Sequence, residues 1–136
     1  GLTDCSRLLF DVFRAFGIRL GRHSSEQAKS GTTARKVGQL SSPEKLTALR
    51  SLAQRGIVFL YMPGHIMLYL GEHQGQHFAL SAIHDFQGQC SGGKAEGKVR
   101  IKRVTVSDLQ VGRGTAKGSF LERLTRLTLF GTSAGD

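Results

Sequence analysis

Apolar residues in this chain recur with helical spacing up to Gly56 and fall into short strand-like runs after it. Leu8, Leu9, Val12, Phe13 and Phe16 follow the ~3.6-residue period of an amphipathic helix that Thr3 or Asp4 can cap and Gly17 can end. Ser24, with Glu26 and Gln27 close behind, starts a short helix near residues 24–30, stopped by Gly31. Ser42-Pro43-Glu44 marks a third start, with serine as cap and proline at the first helical position, ahead of Leu46, Leu49, Leu52 and Ala53.

Beyond Gly56 the pattern reads as strands at Ile57–Tyr61, His65–Gly71, about His77–Phe86 and Val99–Val106, with a bulge near Arg103. Residues 87–98 and 112–118 are Gly-rich and polar and read as loops. Ser119 caps a short amphipathic turn, Phe120–Leu124, that leads into a last strand through Leu127 and Leu129. Helices first and strands after imply an α+β fold, with N-terminal helices packed on an antiparallel sheet.

At 136 residues the chain fits one domain, 1–136, and no internal repeat divides it. No apolar run approaches the ~20 residues of a membrane span. Nineteen Lys and Arg against ten Asp and Glu give a formal charge of +9, which favours polyanionic surroundings such as nucleic acid, anionic lipid or bacterial cell wall. The basic residues are scattered, and no aromatic residue interleaves with a basic groove motif, so nucleic acid is disfavoured. Cys5 and Cys90 lack metal-ligand spacing and cannot form a disulfide framework. Cys90 lies in a loop composition and reads as an incidental thiol.

Cys5 opens the first helix. Unpaired N–H groups and the positive end of the helix dipole there stabilise a thiolate, the form that attacks carbonyl carbons. Such a nucleophile needs an imidazole to share its proton and often a third polar group to orient the ring. His65, which begins a strand directly after Pro63-Gly64, is the natural base. If Gln74-Gly75 forms a two-residue hairpin turn, His84 lies opposite His65; a longer connection puts Ile83, Ala82 or Ser81 there instead. His73 and His77 read as solvent-exposed, and His23 has no catalytic role.

Four stretches together resemble the NlpC-type cell-wall peptidases, a papain-like cysteine peptidase family. They are Asp4-Cys5-Ser6, Phe13-x-x-Phe16-Gly17-Ile18, Arg22-x-Ser24-x-x-Gln27, and Pro63-Gly64-His65-Ile66-Met67-Leu68-Tyr69-Leu70-Gly71. The similarity covers roughly residues 2–130 and is greatest to members carrying bacterial SH3-like wall-binding domains. It implies a papain-like fold and a peptidoglycan endopeptidase without metal or organic cofactor, acting in the envelope or secreted. It would cleave stem peptides between D-glutamate and a diamino acid through a thioester acyl-enzyme. Cys5 would attack, His65 would serve as base and then acid, and His84 would orient His65. Asp4 and Ser6 would hold the substrate's amino end, with Ser24 a further pocket residue.

The sequence departs from the family pattern where glycine usually follows Asp-Cys-Ser, since Arg7 stands there, and where Gly21-Arg22-His23-Ser24 replaces a Pro-Arg-Asn-Ser run. Alignment of the third-histidine strand without a gap puts Ser81, not His84, at the orienting position. The family also usually has sequence upstream of the cysteine, which points to a fragment, a processed form or a minimal variant, with wall-binding domains on the full-length protein. Two other readings share the fold: an antibacterial toxin amidase with an immunity partner, and a catalytically degenerate wall-binding domain.

Overall fold

A computed structural model describes the backbone of residues 5–89 and 96–131, and the side chains of 5–82 and 104–131. Its elements run α1 (Cys5–Ala15), α2 (Ser24–Gln27), β1 (Thr33–Lys36), α3 (Ser42–Ala53), β2 (Gly56–Met62), β3 (His65–His73), β4 (Gln76–Gln89), β5 (Glu96–Asp108), α4 (Phe120–Arg123) and β6 (Arg126–Gly131). The strands form one sheet in the order β1-β6-β2-β3-β4-β5, and each described pairing is antiparallel. The α+β expectation holds.

Alternation along β2 and β6 builds two apolar layers. Val58, Leu60, Met62, Leu127 and Leu129 point to one face, where Ala48, Leu49 and Leu52 of α3 and Phe120 and Leu121 of α4 cover them. Phe59, Ile66 and Phe130 point to the other, beneath Leu9 and Phe13 of α1. Phe13 meets Phe59 edge to face, with ring centroids 5.2 Å apart, a favoured aromatic geometry. The sheet is therefore the middle of three layers.

Local chemistry explains the helix ends. Gly17, at φ 79°, closes α1 in a Schellman motif: its N–H donates to the Arg14 carbonyl and that of Ile18 to the Phe13 carbonyl. Phe16 falls outside this helix and is 80% exposed, so it is not part of the apolar face read from the sequence. The α3 cap is Ser41, one residue earlier than read from sequence, because its hydroxyl and the Glu44 carboxylate form a reciprocal capping box that needs Glu at the third helical position. Ser119 caps α4 as expected, again with a capping box, through Glu122.

Three departures concern strands. β1 had no sequence signal, since Thr-Ala-Arg-Lys carries no apolar alternation; it is a charged edge strand paired with β6. The segment read as loop at 87–98 is strand at both ends, with Gln87↔Lys98, Gly88↔Gly97 and Gln89↔Glu96 in register. Backbone hydrogen bonds carry that pairing, and glycine makes them as other residues do. The Gln74-Gly75 turn forms as expected, with φ of 51° and 77° and His73 paired to Gln76. A bulge between Tyr69 and Gly71 then slips the register by one residue, so that Leu68 pairs with Leu80.

Candidate active site

Cys5 is the first residue of α1 and is half-buried against the apolar cluster of Leu9, Phe13, Phe59 and Ile66. It is a thiol, not half of a disulfide. The start of α1 is tied down from behind. Buried Gln27 donates from Nε2 to the Ser6 carbonyl at 2.8 Å and to the Gly21 carbonyl at 2.9 Å, and Arg22 Nη1 donates to Ser6 Oγ at 3.1 Å. Arg22 and Gln27 of the Arg-x-Ser-x-x-Gln stretch thus hold the cysteine turn in place. Ser6 is buried in this scaffold, and Ser24 is the half-buried first residue of α2. Asp4 and Cys90 lie outside the described residues.

His65 begins β3 across from Met62. It shares its face with Met67, and its ring lies 5.7 Å from that of Phe120, in the layer covered by α3 and α4. Its Nε2 is buried with no hydrogen-bond partner. Burial, reinforced by the nearby Arg123 guanidinium, pushes its pKa down to about 4, so the imidazole is neutral near pH 7 and able to accept a proton. His65, the first residue of β3, thus stands on the α3 side of the sheet, and Cys5, the first residue of α1, packs on the apolar cluster of the α1 side.

The one-residue slip at Tyr69/Gly71 also changes the orienting position. Continued from Leu68↔Leu80, the register sets Ile83, not His84, across from His65. Pairing geometry thus gives no support to His84, whose side chain is outside the described residues. His84 falls at a second irregularity, between the pairs Ile83↔Arg103 and Asp85↔Arg100, where the bulge near Arg103 was expected. Ser81 shares the face of His65, two residues beyond Ala79, and its Oγ is buried without a partner. Gly71 inside a strand pattern was the sequence signal that could have located the slip.

His77 corrects the expectation of exposure: it is 5% exposed. Its Nδ1 is 2.8 Å from the Tyr69 hydroxyl, and its Nε2 is 3.3 Å from Glu72, which Arg50 of α3 also bonds at 2.8 Å. Burial lowers the His77 pKa, against the Glu72 carboxylate that raises it. This cluster fastens α3 to the β3–β4 hairpin. Among the described residues no group of three or more His, Cys, Asp and Glu is placed to hold a metal ion.

A six-stranded antiparallel sheet with helices packed on both faces defines an α+β protein, and a thiol stands on the first turn of one of those helices. The sequence pattern of the NlpC/P60 family matches residues 2–87, more than half of the 136-residue chain, and the chain belongs to that family. Among solved structures, the fold is similar to a chain described as a novel NlpC/P60 endopeptidase from Photobacterium damselae subsp. piscicida, with a TM-score of 0.71 at 20% identity. The similarity covers 93% of this chain and 33% of that one, so this chain spans about a third of its neighbour's length. No curated protein matches the chain. No described helix is long and apolar enough to cross a membrane.

Proposed function

We propose that this chain is a peptidoglycan endopeptidase that cleaves stem peptides at the D-glutamyl–diamino acid bond, with Cys5 as nucleophile. Membership of the NlpC/P60 family, matched over a segment that includes Cys5, His65 and His84, carries the reading. The thiolate forms at the start of α1, attacks the carbonyl carbon to give a thioester and expels the amine; water then releases the acid. His65 takes the thiol proton and returns it to the leaving amine, which its neutral state permits. A helix-start N–H stabilises the oxyanion. Asp4, Ser6 and Ser24 contact the substrate, and His84 or Ser81 orients His65.

The imidazole stands at the first residue of β3, and catalytic hydrogen bonds commonly tighten only in the substrate complex. The site of action is the periplasm or cell wall, with SH3-like wall-binding domains on the full-length protein. A net charge of +9 suits an anionic wall. The face occupied by His65 favours a second reading, a wall-binding domain without peptidase activity.

Digestion of purified peptidoglycan, with products identified by mass, separates the two. Wild type releases stem-peptide fragments, Cys5→Ala releases none, and His65→Ala is slower by roughly a hundredfold or more. Whichever of His84→Ala and Ser81→Ala loses more activity marks the orienting residue. Undiminished cleavage by Cys5→Ala would overturn the mechanism, and an inert wild type that still binds peptidoglycan would establish the second reading.

A further inference from the structure

On the α1 side of the sheet a groove of about 490 Å³ lies between α2, β1 and the β2–β6 pair, with Ser25, Lys29, Lys36, Tyr61, Thr125 and Arg126 among its walls. That volume falls within the range of small-ligand sites. Three strands build its charged wall in register: Lys36 pairs with Arg126, and Arg126 pairs with Tyr61. Directly opposed residues of antiparallel strands point to the same side, so Lys36 and Arg126 lie next to each other on one face. Lys29, just after α2, adds a third cation.

Like charges set directly opposite one another on a sheet are destabilising. Among the described residues lining the groove none is acidic. Three cations from three separate segments of the chain suit several separated negative charges better than one compact anion. Tyr61, which lines the groove, is half-buried and packs on the same apolar cluster as Cys5. The thiol and the groove therefore share one face of the sheet.

We propose that the groove is a carboxylate-binding subsite for an acidic peptide, in which Lys36 and Arg126 pair with its carboxylates and Lys29 closes the far side. The identity of that peptide as a peptidoglycan stem rests on the reading of Cys5 as nucleophile; the preference for carboxylates does not. Charge-assisted pairs of this kind are stronger than neutral ones, and retaining a repulsive pair at a binding site trades stability for function.

Calorimetric titration of the Cys5→Ala chain tests this without turnover. The probes are L-Ala-γ-D-Glu-meso-diaminopimelate with its three carboxylates free and the same tripeptide with all three amidated. The free acid binds about tenfold or more tighter than the amide, and Lys36→Gln/Arg126→Gln removes the difference. The same double substitution raises Tm, because the repulsion is gone; a merely structural pair would lower it. Equal binding of acid and amide, a preference that survives the double substitution, or inorganic phosphate bound as tightly as the free acid would each overturn the proposal. Because cleavage is not read, a failure of the peptidase reading shows in the digestion experiment and leaves this result standing.

Discussion

The two faces of the sheet are built by different rules. On the α3 side the apolar layer is closed, and the polar groups within it are mostly matched from a distance. Lys45, 2% exposed, buries its stem against that layer and donates from Nζ to the carbonyls of Leu121, Glu122 and Leu124 at 3.2, 2.7 and 2.8 Å, so a side chain of α3 satisfies the C-terminal end of α4. On the α1 side a smaller cluster holds down one helix, the cysteine turn is pinned by the side chains of Gln27 and Arg22, and an open groove lies on the same face. The closed side resists change, whereas the open one has room for a ligand.

Substitutions can break that contrast, and the largest effect is expected on the closed side. Lys45→Ala removes three charge-assisted bonds and leaves their carbonyls buried, so urea denaturation should show a loss of about 3 kcal/mol. His65 comes next. Its folded-state pKa of about 4 lies below the unfolded value near 6.5, so between those values the unfolded chain binds the proton and the folded chain does not. Stability contributed by neutral His65 is whole above pH 6.5 and is lost as pH falls towards 4, by about 3 kcal/mol at most. The difference between wild type and His65→Leu should trace that slope.

On the open side, Gln27→Ala should cost about 2 kcal/mol through two lost hydrogen bonds, and amide exchange should quicken in the first turn of α1 before the rest of the helix. An unchanged exchange pattern would mean that the cysteine turn is held by other contacts. The smallest effect belongs to Arg50→Ala. Its ion pair with Glu72 is solvent-exposed on the Arg50 side, and the unfolding midpoint should barely move.

Local signals were the ones the sequence made readable. Ser119 before an apolar turn, Gly17 after an apolar stripe and Gln74-Gly75 between two runs each act within a few residues, and each does in the structure what its chemistry dictates. Lys45 could not be read, because the carbonyls it satisfies lie more than seventy positions later in the chain. The groove was hidden for the same reason: Lys29, Lys36 and Arg126 are ordinary scattered cations until β1 and β6 pair. Within the site, the thiol at a helix start was legible, while the face taken by His65 depends on strand phase. His77 followed the same pattern, since the groups around it, Tyr69 and Glu72 of β3 and Arg50 of α3, come from other elements.

The bulge in the hairpin has a consequence for chain length. Tyr69 and Gly71 pair with Ala79 and Phe78, which are neighbours, so the ladder runs as though position 70 were not there, and Leu70 is about half exposed. Loss of one residue elsewhere in β3 would exchange the inner and outer sets of side chains on one side of the cut. Loss of Leu70 would leave every partner in place, making it the site in this strand where a one-codon deletion and a change of face are uncoupled.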